Sequence, residues 1–279
     1  MHYLTSQLVE AFPQYKTYCT PCLFRSQVIL AYVVGQNSLW EGDFPELPYP
    51  SRWIEVDGVK MHYMEGGDPT GTPILFLHGN PTWSYLWRDV MPELEDQGRV
   101  IAVDLVGFGR SDKPEIGYRF EDHREYLDSF ITQMGLENIT LVIHDWGSGL
   151  GFDYASRNPD NVKAIAFMEA MLPPVPFAEI ETLPAPFPDV FIPLRTEGVG
   201  EELVLNQNFF VEGILASDAQ ITDETVLNAY RAPFPTPETR LPTLVWPREV
   251  PFGGEPEDVA AIVEDYSAWV VATDTPMLL

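Results

Sequence analysis

Four short apolar runs, separated by longer stretches with helical spacing, most narrow what this chain can fold into. They are Pro73-Ile74-Leu75-Phe76-Leu77, Val100-Ile101-Ala102-Val103, Ile139 to His144, and Val162 to Met168. Near-continuous apolarity over so few residues marks a strand buried on both faces. Between the runs, Ser84–Leu94, Phe120–Met134 and Ser148–Arg157 have apolar residues at the spacing of a helix face. Strands alternating with helices form βαβ units, so the chain is expected to build an α/β fold with a mostly parallel sheet and helices on both faces. Ahead of them, Trp53–Val56 and Lys60–Tyr63 flank Asp57-Gly58, a hairpin turn signal. In such sheets the reacting side chains gather at the carboxyl ends of the strands.

Elsewhere the pattern changes. From 173 to 254 proline is dense, and helix-like pieces around Glu201–Phe210 and Thr222–Tyr230 have no strands between them. This predicts an inserted helical cap over the reacting edge. Residues 255–279 return to the core, with a helix over Glu257–Val271 and the beginning of a buried strand at Pro276–Leu279, where the reading is truncated. Residues 1–48 read as an N-terminal extension and linker, and 49–172 as the core.

With 45% hydrophobic and 13% aromatic residues in 279, one large domain has ample core material. A net charge of −26 argues against nucleic acid and anionic membranes as partners. The apolar run Val28–Val34 is too short to span a bilayer, and the start lacks the pattern of a secretory signal. The only cysteines, Cys19 and Cys22, form one CxxC with no second ligand pair, so no metal is expected. Cysteine scarcity fits a cytoplasmic setting.

The chemistry is concentrated in Val142-Ile143-His144-Asp145-Trp146-Gly147-Ser148-Gly149, a strand, sharp turn and helix. That is the setting of a nucleophile elbow, where one side chain is lifted above the sheet. Serine is usual there; here it is Asp145. An ionised carboxylate needs no base to deprotonate it and can attack saturated carbon, forming an ester. As a lone residue, Asp145 would more often be a helix cap. Its company argues otherwise. His78-Gly79-Asn80-Pro81 follows a buried strand, at the place that supplies one oxyanion-hole N–H, with the residue after the nucleophile supplying the other. Those residues are Asn80 and Trp146, whose side chains add an amide and an indole donor suited to a departing anion. Glu169, after the strand ending in Phe167-Met168, is placed to orient a histidine that activates water.

At these residues the chain resembles the haloalkane dehalogenases, of the α/β-hydrolase superfamily. The matching blocks are HGNPTWSYLWR from His78, DLVGFGRSDKP from Asp104, HDWGSGLGF from His144, Ala166-Phe167-Met168-Glu169 and Trp246-Pro247-Arg248-Glu249. The resemblance implies Asp145 as nucleophile, Asn80 and Trp146 as halide holders, and Glu169 as the catalytic acid. It implies a halogenated hydrocarbon and water as substrates, with no cofactor. The family's base is a histidine after the last strand, and this chain ends before that segment. Of its five histidines, His2, His62, His78, His123 and His144, none is expected to serve instead. The expectation is that one halide is released and ester hydrolysis stalls. Competing readings are an epoxide hydrolase, for which Tyr230 offers a cap phenol, a Renilla-type luciferase, and an inactive remnant.

Overall fold

A computed structural model describes Leu47 and residues 49–279. Cys19, Cys22 and the run Val28–Val34 lie outside the described residues. Strands β1 (Ser51–Val56) and β2 (Val59–Gly67) form the expected hairpin. Asp57 and Gly58 both take positive φ, 48° and 81°, as a two-residue turn matched to strand twist requires. Then come β3 (Pro73–Leu77), β4 (Arg99–Val103), β5 (Ile139–His144), β6 (Val162–Met168) and the two-residue β7 (Met277–Leu278). The sheet order is β1-β2-β4-β3-β5-β6-β7. It is antiparallel up to β4 and parallel from there on.

Side chains alternate across a strand, and here both faces are apolar. On one face Leu75, Leu77, Leu141 and Ile143 pack against Phe120, Phe130, Leu150 and Phe152. These come from α1 (Phe120–Gln133) and α2 (Trp146–Arg157). On the other, Ile74, Phe76, Val100, Ala102 and Val142 pack against Trp87 and Met91. The stretch from Ser84 to Leu94, expected as a helix, is instead two 3₁₀ helices, Ser84–Trp87 and Met91–Gln97. Pro92 has no N–H to continue an α-helical ladder across the junction.

The stretch 173–254 is helical and strand-free, with α3 (Phe187–Arg195), α4 (Glu224–Arg231) and α5 (Leu241–Glu249). The start of α4 is set by Asp223, whose carboxylate accepts from the Thr225 N–H at 2.8 Å. The piece expected around Glu201–Phe210 is not one helix. A turn at Val199–Glu201 runs into a π-helical stretch, Glu202–Asn206, and the chain breaks at Asn208, which has φ of 53°. Asparagine tolerates that conformation better than most residues. The last helix, α6 (Glu257–Ala272), packs on α2, with Tyr266 stacked on Phe152 at 5.9 Å. Among the described residues no helix is long and apolar enough to cross a membrane, and no cluster of three metal-ligating side chains occurs.

Candidate active site

Because β5 lies between β3 and β6, the loops after these strands meet at one edge. Asp145 is the turn between β5 and α2, with φ of 51° and ψ of −124°. A non-glycine residue there carries about 1–3 kcal/mol of strain that its surroundings must offset. The Ser148 N–H and hydroxyl both donate to the Asp145 carbonyl, at 2.9 and 2.5 Å. The same hydroxyl accepts from the Met171 N–H at 2.8 Å, tying the elbow to the chain after β6. Two glycines let the backbones close in. A Cβ on Gly147 would lie 2.4 Å from the Leu77 carbonyl, and one on Gly79 would lie 2.2 Å from Asp145 Oδ1.

The Asn80 N–H donates to Asp145 Oδ1 at 2.7 Å, and the Trp146 N–H donates to the same carboxyl. Burial pushes this carboxyl above its ordinary 3.8, opposed by His144 and by the two N–H groups. The Asn80 side chain turns toward α5, its Nδ2 donating to the Thr243 carbonyl at 3.2 Å. The Asn80 Oδ1 is buried without a protein partner. The Trp146 ring is buried between Phe120 and Trp246, at 6.0 and 5.4 Å.

His78 shapes this loop. The Leu105 N–H donates to its Nε2 at 3.0 Å, so Nδ1 carries the proton and donates to the Gly79 carbonyl, also at 3.0 Å. Burial lowers its pKa to about 4, and the ring is neutral above that. Next to it, buried Asp104 accepts from the Ser84 and Arg110 N–H groups and pairs with His62 at 2.8 Å. Burial raises its carboxyl, but these partners outweigh burial and leave it at about 2.

Glu169, with φ of 51°, accepts at Oε2 from His144 Nε2, 3.1 Å away. His144 follows the strand's alternation onto the Trp87 face, 6.5 Å from that ring, and its Nδ1 is buried without a protein partner. The other described histidines are elsewhere. His62 is bound to Asp104 and Ser51, and His123 is enclosed by Phe108, Tyr118 and Trp246. Tyr230 packs edge-on against Tyr85 at 5.3 Å, and burial raises its phenol above the ordinary 10.0, with Arg88 opposing. Sequence reasoning missed Thr243 and the pairing of Glu169 with His144; both contacts depend on which elements become neighbours in space.

A carboxylate with two N–H donors at its own oxygens is equipped for attack on carbon without a proton-removing partner. The comparisons agree in fold and family. The α/β-hydrolase fold model matches residues 72–191. A haloalkane dehalogenase of Sphingobium indicum is 45% identical over 235 residues, covering 81% of this chain and 77% of its own length. One from Mesorhizobium japonicum is 45% identical over 227 residues, covering 81% of this chain and 73% of its own. The crystal structure of the haloalkane dehalogenase DbeA from Bradyrhizobium elkani aligns with a TM-score of 0.78 at 41% identity, covering 82% of this chain and 78% of that one. With relatives this similar over most of both lengths, the chain belongs to the haloalkane dehalogenases, within the α/β-hydrolase fold.

Proposed function

We propose that this chain hydrolyses carbon–halogen bonds in small haloalkanes, giving an alcohol and a halide through an ester on Asp145. The observation that carries the reading is Asp145 at the elbow with the Asn80 N–H 2.7 Å from its Oδ1. A carboxylate oxygen attacks the carbon from the side opposite the halogen. The new C–O bond forms as the C–halogen bond breaks, and the halide leaves with that bond's electron pair. The amide of Asn80 and the indole of Trp146 receive it. Water then adds to the ester carbonyl, whose oxygen is held by the Asn80 and Trp146 N–H groups. Collapse expels the alcohol and restores the carboxylate with loss of a proton. Glu169 is the acid placed to steady the charge on a histidine during this step; His144, its partner among the described residues, is turned onto the Trp87 face and is not that base.

The stretch 173–254 serves as the cap that keeps bulk water from the carboxylate, with Trp246 and Thr243 as its contacts to Trp146 and Asn80. A cytoplasmic setting goes with this reading, on the low cysteine count. The test is to mix the protein with 1-bromohexane, quench, and examine it by peptide mass spectrometry. An added hexyl group on the peptide bearing Asp145, with bromide released in step, supports the reading. Bromide released without any ester at Asp145, or undiminished in Asp145→Ala, removes it.

A further inference from the structure

Thr243 is the third residue of α5 and is fully buried. In an α-helix its carbonyl would accept the N–H of the residue four places on. That residue is Pro247, inside the helix, and proline has no N–H. The carbonyl thus loses its ladder partner where water does not reach, and an unmet buried carbonyl is costly. The group that meets it is the Asn80 side chain, with Nδ2 3.2 Å away. Asn80 is therefore pinned twice, by its backbone N–H on Asp145 and by its amide on α5. A primary amide has two hydrogens. One is occupied by Thr243, which fixes the plane of the group and leaves the second free. The amide oxygen, buried without a protein partner, shares that plane and is fixed along with it.

We propose that Pro247 is a positioning residue for the halide site, leaving the Thr243 carbonyl to hold the Asn80 amide with its second hydrogen presented to the leaving anion. This rests on the dehalogenase reading above. An N–H at position 247 would draw the Thr243 carbonyl back along the helix axis. The Asn80 amide could then turn its oxygen toward the anion and repel it.

The experiment compares Pro247→Ala, which restores the N–H, with a chain carrying L-lactic acid at 247, which has neither ring nor N–H. Bromide affinity is read as saturable quenching of tryptophan fluorescence, and the first turnover as bromide released on rapid mixing with 1-bromohexane. In Pro247→Ala both should weaken on the order of tenfold, as expected for a misplaced catalytic donor. Its melting temperature should not fall, since alanine is the better helix former. The lactic acid chain should recover most of the loss. Wild-type affinity and burst in Pro247→Ala would overturn the proposal. So would equal weakness in both chains, because the ring rather than the missing N–H would then matter. Failure of the underlying reading shows separately, as an unsubstituted chain with neither saturable bromide binding nor an ester on Asp145.

Discussion

Nε2 of His144 lies 3.1 Å from Oε2 of Glu169, joining the residue that closes β5 to the one that follows β6. Burial lowers the imidazole's pKa, but the bond to Glu169 and the nearby carboxylates outweigh it, and His144 titrates above its ordinary 6.5. For Glu169, burial raises and His144 lowers, with a net fall below the ordinary 4.5. A histidine whose pKa is raised by folding contributes stability that is complete below 6.5 and is lost as pH climbs through the raised value. A carboxylate whose pKa is lowered contributes above 4.5 and loses it as pH falls. The pair should therefore help most between pH 4.5 and 6.5. His144→Gln should lower the melting temperature more at pH 5.5 than at pH 9, roughly as a charged hydrogen bond is lost. A ring resonance of His144 titrating at or below 6.5 would contradict this.

Gly79 is required by contact. Alanine would put a methyl carbon 2.2 Å from Oδ1 and 2.5 Å from Cβ of Asp145. The loop must retreat, taking the Asn80 N–H with it. Gly79→Ala should slow the halide burst by about a hundredfold, the scale of losing one such donor, while circular dichroism stays unchanged. A burst within a few-fold of wild type would show that the loop does not depend on this approach.

His123 has both ring nitrogens buried without protein partners, inside a box of Phe108, Tyr118 and Trp246. Burial lowers its pKa to about 3. Between that value and 6.5 the unfolded chain binds a proton that the folded one refuses, so stability falls as pH drops across this range. His123→Phe should stabilise the protein by about 1–2 kcal/mol at neutral pH, by removing polar atoms that lack partners. It should also flatten the acid side of the stability curve. An unchanged slope in melts between pH 4 and 7 would assign the acid sensitivity elsewhere, with His78 the next candidate.

Glu249, at the end of α5, is buried and accepts from the Arg119 Nε and the Phe120 N–H, each at 3.1 Å. It fastens the helical stretch to the first turn of α1. Glu249→Ala leaves that N–H buried without its acceptor, costing about 2 kcal/mol. Calorimetry should register a fall of about 4–8 °C. A loss under one degree would mean that water or Arg119 takes over the contact.

The core strands and the elbow were legible because their signals are local. An apolar run says strand wherever it lies, and Asp145 between such a run and the glycines of α2 says turn. The helices α3 and α5 were obscured by their own prolines. Pro188 and Pro242 sit in first turns, where no N–H is needed, and Pro193 and Pro247 are carried within helices that packing sustains. The alternation of β5 correctly turned His144 off the elbow, yet that reasoning had no means of seeing Glu169 on the neighbouring strand's end. Thr243 was harder still. Its carbonyl matters to Asn80, 163 positions away in sequence, only because another residue of the same helix lacks a hydrogen.

Strand spacing in a sheet is close to invariant, about 4.8 Å. With β3, β5 and β6 side by side, the backbone itself is the jig that holds Asn80, Asp145 and Glu169 in line, and no sequence change at the surface can rescale it. Whatever varies in the molecules admitted must then be absorbed by the walls above. Grafting a different 173–254 stretch onto this sheet would leave the backbone at Asn80, Asp145 and Glu169 where it is, and would reset the Asn80 amide through whatever then stands at positions 243 and 247.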